Sequence, residues 1–257
     1  MDFAPDIERL QQLIAGARRP VVLVGLGFGQ DVDVELNAGQ SDWAANASLE
    51  TLLVDPARFW AFYYAAATKV SQREPSAAHV ALARMQAAGV ISTIIAQSAD
   101  HLAAKAGATD VIEMHGNVLT AQCARCNERY GLPEVGAFLE LADDGVPRCT
   151  TPGCGYPLRP SGTLWGEPLA EDAVSKAWEL AANSDAFIAI DTALRTIPLS
   201  LLPSVPLTRG VPLALIGRTP TQYDRYAQVV IRSAGAPIIE ALADRMLGTA
   251  GADPGTG

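Results

Sequence analysis

The stretch Val21-Val22-Leu23-Val24-Gly25-Leu26-Gly27-Phe28-Gly29 decides how this chain is read. Four apolar residues in an unbroken run suit a strand buried on both faces, as in a parallel sheet. Closely spaced glycines then end the run and permit a tight turn. Upstream, residues 4–17 carry apolar side chains at helical spacing (Ile7, Leu10, Leu13, Ile14) until Arg19-Pro20 breaks the pattern. Downstream, short apolar runs recur at 90–96, 111–114, 186–190, 213–216 and 228–231. Helical stretches lie between them: an aromatic, Ala-rich one opened by Asp55-Pro56, one running to about Ala88 with Gly89 as its C-cap, one at 100–106, one near 169–183 and a last one at about 236–247. Strands alternating with helices predict an α/β fold, a Rossmann-like doubly wound parallel sheet. Residues 30–53, acidic at first (Asp31, Asp33, Glu35), read as a solvated loop, and the tail at 251–257 reads as disordered.

In such a sheet, ligands bind outside the carboxyl ends of the strands. Gly25 and Gly27, residues 97–100, His115 and Asp191-Thr192 all follow predicted strands, so they are expected to meet in one crevice. Gly25 and Gly27 permit either a simple turn or a close approach of backbone N–H groups to a pyrophosphate; Gln30 stands where the third glycine of a full dinucleotide fingerprint would be. Of the three histidines, His79 lies in an Ala-rich helix and reads as structural, and His101 as part of an exposed helical turn. His115, at a strand end before Gly116, is the candidate general base. The aromatic cluster Phe59, Trp60, Phe62, Tyr63 and Tyr64 reads as core and helix-packing surface.

The composition changes at 120–158. This segment holds all four cysteines: Cys123 and Cys126, then 22 residues, then Cys149 and Cys154. Two close pairs on turns supply four thiolates for one tetrahedral zinc, a closed and therefore structural site. Arg125, Arg129 and Arg148 stand beside them and can offset thiolate charge. Two disulfides or free thiols are the alternatives, and a reducing compartment favours the metal. The domains are thus a Rossmann-like body at 1–119 and 159–257, with a helical insertion at about 36–74, and a small zinc module at 120–158. Removing the zinc is expected to destabilise 120–158 without directly touching the chemistry at His115.

Nineteen basic side chains against 28 acidic ones leave a net charge of −9, with no basic run. That opposes nucleic-acid binding and docking on an anionic membrane. Residues 1–6 lack the basic and apolar regions of a signal peptide, and no apolar run approaches the length of a spanning helix, so a cytoplasmic protein is expected.

Taken together, the order of motifs resembles the sirtuin family of NAD-dependent protein lysine deacylases. The resemblance covers residues 18–245 and rests on Gln97-Ser98-Ala99-Asp100, Gly107, Glu113-Met114-His115-Gly116, the four cysteines, Arg159-Pro160 and Trp165-Gly166-Glu167. Asp55-Pro56, Phe59-Trp60 and Pro75 to His79 also look like the family's helical segment. The resemblance implies NAD as co-substrate, held between the Rossmann-like domain and the zinc module, and an acyl-lysine protein or peptide entering from the opposite side. The acyl oxygen would attack the ribose carbon as nicotinamide leaves, with His115 as general base on a ribose hydroxyl. Gly25, Gly27, Gln97, Ser98, Asp100 and Thr192 would bind the cofactor, and Trp165, Gly166 and Glu167 would line the substrate channel.

The chain departs from the family pattern at the cofactor site. The Gly-Ile-Pro-Asp-Phe-Arg segment that closes over nicotinamide is missing from residues 30–54. Ser98 replaces an Asn, Asp191-Thr192-Ala193 replaces Gly-Thr-Ser, and Gly217 stands where an Asn usually contacts the adenosine ribose. A carboxylate at Asp191 would repel the cofactor phosphates unless it points away. Three readings follow: a family-like NAD-dependent deacylase, a degenerate nucleotide-binding protein of the same fold, or an enzyme repurposed for a non-peptide substrate.

Overall fold

The computed structural model describes residues 3–29 and 40–248. Helix α1 (Ala4–Ala15) leads into strand β1 (Pro20–Val24). Helices α2 (Gln40–Asn46), α3 (Leu49–Val54), α4 (Pro56–Ser71) and α5 (Ala77–Ala87) precede β2 (Thr93–Ala96). One helical turn, α6 (Leu102–Lys105), leads to β3 (Val111–Glu113). The cysteine segment supplies β4 (Thr120–Cys123), β5 (Arg129–Gly131), α7 (Leu132–Leu141) and β6 (Leu158–Pro160). The chain returns through α8 (Glu171–Asn183), β7 (Ala186–Ile190), α9 (Ser204–Leu207), β8 (Leu213–Ile216), β9 (Val229–Ile231) and α10 (Gly235–Leu247).

Six strands form one sheet in the order β3-β2-β1-β7-β8-β9, and every neighbouring pair is parallel. The chain runs outward from β1 to β3, then restarts on the other side of β1 with β7. The strand order therefore reverses between β1 and β7, the switch point where doubly wound sheets open a crevice. All of β1, β2, β7 and β8 is buried, which explains why these strands read as unbroken apolar runs. Leu10, Leu82, Met85 and Leu242 from α1, α5 and α10 cover one face. Ala177 and Ala181 of α8, with Leu199 and Leu202, cover the other. This is the fold class the sequence predicts. Among the described residues no helix is long and apolar enough to cross a membrane.

A second, antiparallel sheet of three strands has the order β5-β4-β6. Its core is shared with the helical segment: Phe59, Trp60 and Tyr63 of α4 are buried with Tyr130, Val135 and Leu158. Phe59 and Tyr63 stack at 5.3 Å, and α7 comes so close to α4 that a Cβ on Gly136 would lie 2.2 Å from the Tyr64 hydroxyl. The aromatic cluster is thus core, as expected, but it is the core of the small domain.

Three readings change. The helical segment, an insertion in the Rossmann-like body by sequence, packs on the cysteine module. β6 pairs Leu158, Arg159 and Pro160 with Cys123, Gln122 and Ala121, so the small sheet runs two residues past 158. Within 30–53, the described part from Gln40 onward is α2 and α3 rather than a loop. The Ser48 hydroxyl accepts from the Thr51 N–H at 3.1 Å and caps α3, a signal hidden by the shortness of both helices. The remainder of that loop, including Asp31, Asp33 and Glu35, and the tail at 251–257 lie outside the described residues.

Candidate active site

The ends of β1, β2 and β7 converge as predicted. The Gly25 N–H donates to the Ile190 carbonyl at 2.8 Å and the Gln97 N–H to the Val24 carbonyl at 2.9 Å. Thr192, after β7, donates its hydroxyl to Gln97 Oε1 at 3.2 Å, joining residues 95 apart in sequence. Gly25 is obligatory, because a Cβ there would lie 1.9 Å from the Asp191 carbonyl oxygen. A Cβ on Gly27 would meet nothing within 4 Å, and Gly27 lines a cavity of about 540 Å³ along the strand ends.

His115 follows β3 at the outer end of the same edge. The Met114 N–H donates to the Ala96 carbonyl at 2.9 Å and extends the β2 pairing, and the Gly116 N–H closes a turn onto the Glu113 carbonyl at 3.0 Å. The Thr163 N–H donates to the His115 carbonyl at 2.9 Å, so the chain leaving β6 clamps the histidine. Among the described residues no hydrogen bond reaches its imidazole. Burial alone pushes its pKa below the ordinary imidazole value, which keeps the ring neutral and able to accept a proton near neutrality. His115 is not part of the 540 Å³ cavity lining, which runs from the β1 turn toward α10.

Gly116 makes this seat possible. Its φ is +63°, and a Cβ there would lie 2.9 Å from the Cα of Gly162. Gly116→Ala is expected to displace His115 and lower turnover strongly, while the large sheet persists. Steady-state kinetics beside far-UV circular dichroism check this; unchanged kcat would show that the clamp is irrelevant to His115.

Beside the glycine turn, a small recess is lined by Phe28, His79, Ser98, Asp100, His101 and Glu113. Asp100 is buried; its Oδ1 accepts the Leu102 N–H at 3.1 Å, while Oδ2 has no partner among the described residues. An unpaired buried acceptor is costly and demands a donor, such as an amide N–H. The Ser98 hydroxyl accepts weakly from the Asp100 N–H at 3.4 Å, within its own loop. His79 is held by the Ser76 hydroxyl at 2.8 Å and meets Phe28 edge-on at 5.2 Å, which supports its structural reading. Gly29, at φ +69°, leaves room for that ring: a Cβ would lie 2.4 Å from it.

Sequence reasoning missed one network. His101 adopts φ +62°, and its Nδ1 lies 2.8 Å from Glu113 Oε1, while Glu113 Oε2 accepts from Asn117 at 3.1 Å. The signal was present in Glu113 and Asn117, each two residues from His115.

Asp191 does point away from the glycine turn. Its carboxylate accepts from the Gly235 N–H at 2.9 and 3.1 Å, at the positive end of α10. Trp165 is half exposed, and its carbonyl accepts from the Leu49 N–H at 2.9 Å. Glu167 is committed within its own turn: both oxygens meet the Arg159 guanidinium at 2.8 Å, and Oε2 also accepts from the Leu164 N–H. Burial alone would raise the Glu167 pKa, but Arg159 outweighs it and holds the carboxylate ionised.

The four cysteines converge with their sulfurs within 4.8 Å of one another. Cys123 and Cys154, and Cys126 and Cys149, stand 3.6 Å apart, too far for the ~2.05 Å of a disulfide. A tetrahedron of sulfurs at ~2.3 Å from zinc has edges of about 3.8 Å, so the spacing fits the metal. The Arg125 and Cys126 N–H groups point at the Cys123 sulfur at 3.4 and 3.5 Å. Burial opposes ionisation of Cys149, but hydrogen bonds from Thr151 and from Tyr130, whose hydroxyl is 3.1 Å away, bring its pKa down to about 6. Against burial, Cys123 is also drawn down by the N–H groups aimed at it, whereas burial and the neighbouring sulfurs outweigh the Tyr156 backbone and push Cys154 up to about 11, so the four thiols do not ionise together without a cation between them. Zinc bound there would fasten the two cysteine turns to each other without an open position for chemistry. Arg148 is not available to offset their charge, because its guanidinium is paired with Asp144 at 2.8 and 3.0 Å.

The family model described as the Sir2 family matches residues 39–198. An NAD-dependent protein deacetylase of Caldivirga maquilingensis is 32% identical, with 92% of each chain covered. An NAD-dependent protein deacetylase 1 of Pyrobaculum aerophilum is also 32% identical, over 96% of this chain and 98% of the relative. Among solved structures, a Sir2 complex with p53 peptide and NAD⁺ superposes with a TM-score of 0.79 at 25% identity, covering 96% of this chain and 99% of the other. A Sir2 bound to acetylated peptide gives 0.80 at 25% identity, covering 97% and 100%. With the switch point, the histidine after β3 and the cysteine cluster all in place, the chain belongs to the Sir2 family, the sirtuins.

Proposed function

We propose that this protein is an NAD-dependent protein lysine deacylase, cleaving the nicotinamide–ribose bond and passing the acyl group to ADP-ribose. The order of groups along the strand ends carries the reading. A neutral histidine follows β3, the glycine turn follows β1, and the large cavity lies at the ends of β7 and β8. Four strand spacings from β3 to β8 make about 19 Å. Reactive ribose, pyrophosphate and adenosine occur in that order along a dinucleotide, and a mononucleotide could not occupy all three positions.

Asp100 Oδ2 is placed to receive the carboxamide N–H of nicotinamide. The backbone at Gly25 and Gly27 faces the pyrophosphate, with Gln97 and Thr192 holding the two strand ends together. The acyl-lysine of a peptide approaches along the exposed Trp165, and Gly166 and Glu167 shape that turn. The acyl oxygen bonds to the ribose carbon as the carbon–nitrogen bond breaks and nicotinamide departs with its electron pair. His115 then takes the proton of a ribose hydroxyl, whose oxygen attacks the acyl carbon. The bond from that carbon to the lysine nitrogen then breaks, the amine leaves with the proton held on His115, and water adds to the remaining cation to give acyl-ADP-ribose. The names of the relatives and the peptide-bound neighbours support the substrate class.

Incubation with NAD and a panel of acyl-lysine peptides, with free nicotinamide quantified by mass spectrometry, tests this. Release that needs both peptide and His115 is expected. Release without peptide would replace the reading with NAD hydrolysis. Dinucleotide binding without any release would identify a binding protein.

A further inference from the structure

Two carboxylates, Asp191 and Glu240, line the large cavity, and the surroundings of Asp191 are shaped around it. Asp191 follows β7 with φ +48°, a left-handed conformation that Asp and Asn tolerate better than most residues. Its side chain fills the gap between two glycines. A Cβ on Gly235 would lie 2.7 Å from Asp191 Oδ2, and one on Gly217, at the end of β8, would lie 3.7 Å from Oδ1. The space beside β8 that a side chain at 217 would enter is thus bordered by a carboxylate coming from β7.

Among the described residues, that carboxylate is hydrogen-bonded on one side only, and the Arg218 charge acts on it from the rim. The Gly235 N–H at the start of the 13-residue α10 donates to it. An ionised carboxylate has about four acceptor positions, so most remain for another donor. Asp191 lines the 540 Å³ cavity with Thr192 and Arg218. Arg218 is exposed, and its guanidinium makes no hydrogen bond among the described residues. A carboxylate at a strand end of a doubly wound sheet accepts from the vicinal hydroxyls of a ribose and repels a phosphate attached there, whereas an arginine favours that phosphate. Here the carboxylate is hydrogen-bonded and half-buried, while the arginine is exposed at the rim and acts on it by charge alone.

We propose that Asp191 is the specificity-determining acceptor for the adenosine ribose hydroxyls, selecting NAD over its 2′-phosphorylated form and replacing a side chain absent at Gly217. The assignment rests on the dinucleotide reading given above. It makes Asp191 a binding residue at the end of the cavity remote from His115, and it removes the conflict between this carboxylate and the pyrophosphate at the glycine turn.

Calorimetric titration of the zinc-loaded full chain with NAD, NADP and ADP-ribose tests it, using the wild type, Asp191→Asn and Asp191→Gly. Asparagine keeps the size and tolerates the backbone, and glycine relieves the positive φ, so at least one variant should fold; thermal melts verify this. The wild type is expected to bind NAD at least about tenfold more tightly than NADP. Both variants should lose about tenfold in affinity for NAD and ADP-ribose, while NADP affinity holds or rises. Nicotinamide release should show the loss in KM rather than in kcat. An NAD-to-NADP preference unchanged in both variants would overturn the proposal. Normal ribose selectivity without nicotinamide release would leave it standing and remove the deacylase reading. Failure of the wild type to bind any of the three would end both.

Discussion

Replacing His115 with alanine is expected to lower kcat/KM for peptide-dependent nicotinamide release or acyl transfer by about 10²–10⁴-fold, the usual worth of a positioned acid–base group. Dinucleotide affinity should stay essentially unchanged, because His115 lies outside the lining of the large cavity. The pH profile gives the sign of the mechanism. Only the neutral imidazole can accept the ribose proton, and burial lowers the His115 pKa. The acid limb of the wild-type profile should therefore fall below the roughly 6.5 of a free imidazole. An acid limb at or above that value would mean that a different group titrates. Loss of NAD affinity in the alanine variant, at unchanged kcat, would reassign His115 from base to binding residue.

The two ends of the site divide the labour differently from a uniform pocket. At the β3 end, burial keeps His115 neutral and leaves one oxygen of Asp100 without a partner among the described residues, while Glu113 is taken up by His101 and Asn117. At the α10 end, the groups are charged and open to solvent, which suits recognition of hydroxyls and phosphates. Substitutions at the second end should therefore act on KM and cofactor choice, and those at the first on kcat.

The large sheet was legible because its strands are buried on both faces. Apolar runs such as 186–190 admit few other readings, and the glycine turn after β1 marks the switch point by chemistry alone. The cysteine spacing was equally plain, since few arrangements other than a metal place two such pairs on turns. What stayed hidden depends on contacts distant in sequence. Nothing near Phe59 and Trp60 says that they pack on Tyr130 and Leu158, so the sequence leaves the neighbour of the helical segment open. In the sequence around Glu167, nothing shows that Arg159, eight residues earlier, holds both its oxygens. The direction of Asp191 was unreadable for the same reason, because its partner Gly235 lies 44 residues away. The short helices α2 and α3 carry too little periodicity to stand out, although Ser48 offered a cap.

Removing the zinc is expected to unfold the small domain and to silence His115 as well. The sequence suggests that these two effects are separate, but the structure connects them. Cys123 is the last residue of β4 and pairs with Leu158 in β6. Two residues beyond β6, Gly162 abuts Gly116, and Thr163 donates to the His115 carbonyl. A metal ligand and the base are thus linked through one strand and one clamp. Structural zinc sites in small peptides are worth about 10–16 kcal/mol at neutral pH, as much as or more than the whole stability of a typical domain. Chelation, or Cys149→Ser, should therefore abolish the cooperative melting of the small domain. Two of the four tryptophans, Trp43 and Trp60, belong to its core, so their emission should shift to the red. Far-UV circular dichroism should retain the signal of the six-stranded sheet and its helices. Nicotinamide release should fall with the fluorescence change, and both should return together on adding zinc. Full activity in verified metal-free protein would show that β6 holds His115 without the metal. Loss of activity with the melting curve and emission unchanged would place zinc in the chemistry itself, which a closed four-thiolate site does not allow.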